Sequence, residues 1–353
     1  MNPLQSLARP EILALKPYSH AQWRPGLTRL HANEVPWRPK DDASALGLNR
    51  YPEPQPAALI AGLAALYGVR PENLLATRGS DEGIDVLSRI FLRAGIDAIM
   101  QCTPTFGMYQ VAARIQGAGV IDVPLQRAHH WRLDVDRLLG AWNPQIKIVY
   151  LCSPNNPTAN QLDSAAIAAV CEALAGKAIV VVDEAYVEWT AASSLSAWLE
   201  RYPTLAILRT LSKAYALAGA RVGALIGAPE LIEIARRVVP PYCLATPTIE
   251  AALRALDPAE LEATRARLAM LLAEREYLAK GLSASPLVET VWPSDTNFLL
   301  IDSTDADTMM RRSIHGGLIV RDLRADPALP RSLRVTVGTR TDNDSLLASL
   351  EAP

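Results

Sequence analysis

The sequence predicts an α/β protein, with a large domain built on a mostly parallel sheet and a smaller α+β domain at its C-terminal end. Two observations carry that prediction. From about residue 56, short Ile/Val-rich runs alternate with amphipathic helical stretches, and runs so continuously apolar suit strands covered on both faces. After one long helical stretch the pattern changes to strand, helix, two strands and a last helix. A chain of 353 residues has room for about two domains and a large core.

The elements follow in order. Residues 1–40 are rich in Pro, Trp and Arg and weakly periodic, and they read as an extended N-terminal arm. Residues 41–255 form the expected large domain. It opens with "PAALIAGLAALYGV" at helical spacing. "ATRGSDEGIDVL" reads as strand, glycine turn and helix, with Ser80 or Asp81 as the natural N-cap. "DAIMQC", "GVIDVPL", "IKIVYLC", "AIVVVDEAY", "LAILRTL" and "ARVGALIGA" are the next strands. "GMYQVAARIQGA" and "DSAAIAAVCEALAGK" are among the helices between them. Residues 256–353 form the expected small domain, which starts with the long interdomain helix "LEATRARLAMLLAEREYLAKGL". It continues with strand "TNFLLID", helix "ADTMMRRSIHGG", strands "LIVRDL" and "SLRVTVG", and a final helix.

Composition excludes several classes. Half the residues are hydrophobic, a fifth are charged, and the formal net charge is −2, so nothing draws the chain as a whole to nucleic acid or to an anionic membrane. The four cysteines include no C-x-x-C pair and the five histidines show no metal-ligand spacing, so neither a metal site nor a disulfide framework is expected. The N-terminus lacks the pattern of a signal peptide, and no apolar run reaches membrane-spanning length. The expectation is a cytoplasmic protein with reduced cysteines.

Chemistry is concentrated in a few stretches. The chain has six lysines against 29 arginines, yet Lys213 stands alone in "LRTLSKAYALAGARVGA". Arginine stays protonated in proteins, whereas a lysine in apolar or cationic surroundings can lose its proton and attack a carbonyl to form a Schiff base. Asp183 ends the most hydrophobic strand, where a carboxylate is costly unless it is paired. "LCSPNNPTA" ends another strand in a turn, where Asn155 or Asn156 either shapes the turn or offers an amide to a ligand. The N–H groups after Gly79 suit a phosphate at a helix N-terminus, with Ser212 and Arg221 as further donors. Strand ends of a parallel sheet gather ligands. One ligand answers all three demands: pyridoxal 5′-phosphate has an aldehyde for Lys213, a phosphate for the Gly79–Asp81 turn and a ring nitrogen for Asp183.

"SPNNPT", "VVVDEAYVEW" and "RTLSKAYALAGARVG" resemble the signature blocks of fold-type-I pyridoxal-phosphate-dependent aminotransferases. "LKPYSH", "HANEVPW", "NRYPEPQP", "TRGSDEGIDVL", "PTFGMY", "SDTNFLLI", "LIVRDL" and "SLRVTVGTR" are similar to blocks of the histidinol-phosphate aminotransferase branch. They run in order over nearly the whole chain. The resemblance implies a seven-stranded sheet in the large domain. It also implies an amino transfer between L-histidinol phosphate and 2-oxoglutarate, giving imidazole acetol phosphate and glutamate in histidine biosynthesis. A broad aromatic aminotransferase and a decarboxylase of the same fold are the alternatives.

Roles are implied by position. Lys213 would carry the cofactor and move the substrate proton, Asp183 would pair with the ring nitrogen, and Asn156 and Tyr186 would hydrogen-bond the ring 3′ oxygen. Phe106 would stack on the ring. Ser80, Asp81, Ser212 and Arg221 would hold the cofactor phosphate, joined by Tyr51 from the other subunit of a homodimer. Tyr18, Asn156, Arg321 and Arg334 would bind substrate, the two arginines meeting its phosphate. The chain departs from the family pattern at Phe106, where tyrosine is usual, at Ala159, where glycine is common, and at His31, where asparagine is frequent.

Overall fold

The computed structural model describes residues 3–21, 24 and 26–351. Seven strands form the large sheet: β1 (Leu74–Thr77), β2 (Ala98–Gln101), β3 (Gly119–Asp122), β4 (Ile146–Cys152), β5 (Ile179–Asp183), β6 (Leu205–Thr210) and β7 (Gly223–Gly227). Their order is β1-β7-β6-β5-β4-β2-β3. Only β7 runs against the rest, pairing antiparallel with β1 and β6 while the other neighbours pair in parallel. The mostly parallel sheet expected from the apolar runs is therefore present.

Alternation along β5 shows why such runs are needed. Val180 and Val182 enter one core layer, Ile179 and Val181 the other. Helices cover both faces, Ala57–Tyr67 and Ser164–Ala173 on the first, Ser80–Phe91 and Met108–Ile115 on the second. Asp183, the last residue of β5, is therefore carried to the sheet's carboxyl edge between two sealed layers.

The smaller sheet is antiparallel, in the order β10-β11-β9-β8, from β8 (Val288–Val291), β9 (Phe298–Ser303), β10 (Arg321–Asp322) and β11 (Ser332–Thr336). "LIVRDL" yields only the two-residue β10, because β11 is hydrogen-bonded on that side for just that length. The long helix spans Pro258–Ala284, capped by Asp257, which accepts the Ala259 N–H at 2.9 Å. Its Leu278 and Leu282 pack on the small sheet. Its Leu268 and Leu272 reach a separate apolar cluster with Tyr186, Trp189 and Phe298.

Two expectations need correction. The N-terminal arm is not extended throughout: Pro3–Leu7 and Pro10–Ala14 are helical, and Leu4 and Leu7 are buried in the large core. Helices of five residues are too short to show a 3.6-residue period in sequence. Nor does Ser80 or Asp81 cap the Ser80–Phe91 helix. Gly79 occupies the cap position at φ +76°, with no side-chain cap hydrogen bond.

Candidate active site

A cavity of about 660 Å³ opens at the carboxyl ends of the large sheet, and residues of the small sheet close its other side. Of the thirteen residues to which the resemblance assigns roles, eleven line it; Tyr18 and Tyr51 do not.

Its floor is set by β5 and β6. Asp183 is 2% exposed, and its carboxylate accepts the Tyr109 hydroxyl at 2.8 Å and the Ala185 N–H at 3.1 Å. Burial outweighs both hydrogen bonds and raises its pKa from 3.8 to about 6. Tyr109 in turn stacks on Tyr150 at 4.4 Å, so the ring presenting that hydroxyl is locked. Sequence reasoning missed Tyr109, which lies in "PTFGMY", far from Asp183 in sequence. Phe106 in the same stretch lines the cavity and meets Tyr109 edge to face at 5.7 Å.

Lys213 follows β6. Its amine makes no hydrogen bond or ion pair with the described residues and sits 5.6 Å from the Tyr186 ring centre. Burial lowers its pKa first, and Arg334 and Arg221 push the same way, against Asp81 and Asp183. The side chain still counts as exposed, because the cavity is open, so this is a depressed ammonium on a cavity wall rather than a sealed one. Burial also raises the Tyr186 phenol above its ordinary value.

The Gly79 turn forms the next wall. Arg221 donates to Ser212 Oγ at 3.1 Å and to Asp81 Oδ2 at 3.0 Å, so three of the expected phosphate ligands already meet. Arg221 does this from a left-handed backbone at φ +60°, a conformation that costs an L-residue about 1–2 kcal/mol. A Cβ on Gly79 would lie 2.7 Å from the Arg221 guanidinium, and one on Gly223 would lie 2.6 Å from the Ser80 nitrogen. Gly79 is favoured by its positive φ and Gly223 by the turn backbone packed against it, and together they let β7 support a turn that starts the Ser80–Phe91 helix without a side-chain cap.

The two asparagines divide the alternatives between them. Asn155 is buried and shapes the turn, donating to the Pro104 carbonyl at 2.8 Å and accepting the Thr105 hydroxyl at 2.9 Å. Asn156 faces the cavity, where its Oδ1 accepts a hydrogen bond from Arg334 Nη1. Ala159 sits at φ +66° in this turn, the position where the family often has glycine.

Arg321 and Arg334 are direct cross-strand partners in the β10–β11 register. Like charges directly opposite destabilise a sheet, and neither guanidinium has a carboxylate partner among the described residues. Arg334 instead lies 5.2 Å from the Phe298 ring centre and donates to a neutral amide. Two arginines held together without counter-charge form a site for an anion.

Tyr18 and Tyr51 stand apart from these groups. Tyr18 is 66% exposed and meets His20 edge to face at 5.4 Å; Tyr51 stacks on Tyr242 at 4.7 Å. The expectation that Tyr18 reaches the substrate pocket is therefore not met within one chain, because its ring is held on the arm's surface. Tyr51 lies outside its own chain's cavity.

The cavity fits pyridoxal phosphate on its own geometry: a free depressed amine, a buried carboxylate unsatisfied by any cation, and a glycine-built turn facing Ser212 and Arg221. No helix among the described residues is long and apolar enough to cross a membrane.

The aminotransferase class I and II family matches residues 34–350 of this chain. The histidinol-phosphate aminotransferase of Stenotrophomonas maltophilia (strain R551-3) is 45% identical over 351 residues, covering 98% of this chain and 96% of the relative. That of Escherichia coli (strain K12) is 42% identical over 355 residues, covering 99% and 98%. Among solved structures, histidinol-phosphate aminotransferase from Sinorhizobium meliloti in complex with pyridoxal-5′-phosphate superposes with a TM-score of 0.78 at 25% identity, over 85% of this chain and 82% of that one. The Clostridium acetobutylicum histidinol-phosphate aminotransferase shares the fold, with a TM-score of 0.77 at 19% identity over 86% and 90% of the two chains. A family match over nearly the whole sequence, and relatives this similar over their full length, establish that the chain belongs to the class I and II aminotransferases.

Proposed function

We propose that the chain transfers the amino group of L-histidinol phosphate to 2-oxoglutarate, using pyridoxal 5′-phosphate and yielding imidazole acetol phosphate and L-glutamate. The observation that carries the substrate assignment is the Arg321–Arg334 pair, opposed in register with no carboxylate between them. A dianionic phosphate matches two guanidinium groups in charge and in acceptor count better than a single carboxylate does.

Pyridoxal phosphate, when bound, supplies an aldehyde for amine exchange and a ring that takes up the electron pair left by the departing α-proton. The chain's residues do the rest. Lys213 Nζ would hold the cofactor and, freed from it, would carry the proton between the substrate α-carbon and the cofactor, a task its lowered pKa suits. Asp183 keeps a positive charge on the ring nitrogen, its Oδ2 fixed by Tyr109. Phe106 covers the ring, while Asn156 and Tyr186 orient its 3′ oxygen. Ser80 and Asp81 backbone N–H groups, Ser212 and Arg221 hold the cofactor phosphate. Asn156 touches both halves of the chemistry, since it also receives Arg334.

The exposed Tyr51 supports a homodimer in which it reaches the partner's cofactor phosphate, and exposed Tyr18 supports a similar reach toward the partner's substrate. A cytoplasmic setting suits a chain whose four cysteines are all free.

The test offers the protein L-histidinol phosphate, L-histidinol and L-phenylalanine as donors to 2-oxoglutarate. Arg321 and Arg334, left without the dianion they would bind, lower kcat/KM for L-histidinol by about 10²-fold or more. Equal turnover of L-histidinol and its phosphate, or faster turnover of phenylalanine, would instead mark a broad aromatic aminotransferase.

A further inference from the structure

Three carboxylates line the cavity, and one of them has no part in the chemistry above. Asp81 is engaged by Arg221, and Asp183 by Tyr109. Asp326 has neither a basic nor a hydroxyl partner among the described residues. Its Oδ1 accepts the Ala328 N–H at 2.9 Å, and its Oδ2 makes no hydrogen bond.

The turn that carries Asp326 is tightly held. Asp326 N donates to Leu323 O at 2.9 Å, and Leu329 N donates to Asp326 O at 2.9 Å. Arg127, from the large-domain side, donates to the Ala328 carbonyl at 3.0 Å and bridges Asp302 at 2.7 Å. That guanidinium lies between Trp131 and Trp292, 5.2 and 5.3 Å from their ring centres. The Asp326 carboxylate is therefore a fixed, half-buried acceptor that lines the same cavity as Arg321.

A carboxylate in the cavity that also holds two arginines works against a site that binds anions alone. It makes sense if the ligand that brings an anion to the arginines also brings an N–H donor. We propose that Asp326 is a specificity residue that accepts a hydrogen bond from the imidazole ring of the amino donor, so that the pocket favours imidazole over apolar rings. The inference rests on the histidinol-phosphate reading and adds the group that recognises the ring.

Asp326 also forms a side-chain turn with Ala328, so the test must separate recognition from turn shape. Asp326→Asn keeps an oxygen for the Ala328 N–H and removes the charge; Asp326→Ser keeps a shorter acceptor. The holoenzyme is assayed with L-histidinol phosphate and with L-phenylalaninol phosphate, which carries phenyl in place of imidazole, and the Kd of each is measured by calorimetry. In both variants the imidazole-to-phenyl ratio of kcat/KM should fall by at least about tenfold, through KM and Kd rather than kcat. A ratio within about twofold of wild type, or equal losses for both donors, would overturn the role of Asp326 and leave it a turn residue. If the wild-type protein turns over neither phosphate, the functional reading falls and this inference falls with it. Rapid wild-type turnover with an unmoved ratio removes only the Asp326 assignment.

Discussion

Replacing Asp183 with asparagine should stabilise the cofactor-free protein while abolishing transamination. The carboxyl is 2% exposed, and burial raises its pKa from 3.8 to about 6. The folded state thus holds this proton more tightly than the unfolded state. Its destabilising effect is absent below about pH 4, grows between about pH 4 and 6, and is full above about pH 6. A rise of that size corresponds to about 3 kcal/mol. Asparagine keeps an oxygen for the Ala185 N–H and an amide for Tyr109 but carries no charge. Urea unfolding of the two cofactor-free proteins would then show the variant ahead by about 1–3 kcal/mol at about pH 7.5, with the gap closing toward about pH 4. In the presence of cofactor the same variant should lose nearly all turnover, since the ring nitrogen has no anion to hold its charge. A stability difference that ignores pH, or a variant less stable at neutral pH, would refute the claim that an uncompensated buried carboxylate waits for a cation.

Three further outcomes follow from other contacts. Arg321→Gln should leave the melting temperature equal or slightly higher, because it removes a like-charge cross-strand pair worth roughly 0.2–1 kcal/mol, while kcat/KM for L-histidinol phosphate falls far more than for glutamate; calorimetry and donor kinetics check both halves. Arg209→Met should cost about 3–5 kcal/mol by chemical denaturation, because Arg209 is buried and bridges Glu184 at 3.3 Å and Glu188 at 2.6 Å. Mixing inactive Lys213→Ala and Tyr51→Phe chains should restore part of the activity, since a mixed dimer has one site with both residues intact; no recovery despite demonstrated mixed dimers would argue against a shared site.

Much of the site was legible because its chemistry is out of place locally. Lys213 and Asp183 stand at the ends of apolar strands, and residues that contradict their surroundings are readable without a structure. The alternation of core layers along β5 was equally plain, since each Ile or Val has only one face to serve. What the sequence concealed depends on contacts between distant segments. Tyr109 meets Asp183 only because the fold brings the start of the Met108–Ile115 helix to the carboxyl end of β5. The opposition of Arg321 and Arg334 is a matter of register, fixed by hydrogen bonds across β10 and β11. The need for glycine at position 223 comes from the Gly79 turn packed against it, a contact no local pattern announces. The arm's short helices escaped notice because Leu4 and Leu7 gain their meaning from the core they enter, not from a local period.

The most direct test of the central claim is reduction of the cofactor-loaded protein with borohydride, followed by peptide mapping. Of the six lysines, only Lys213 lines the cavity that holds Asp183, Arg221 and Arg334. The account predicts one pyridoxyl group per chain, on Lys213, and its loss in Lys213→Ala. A label on Lys16, Lys40, Lys147, Lys177 or Lys280, or no label at all, would contradict it.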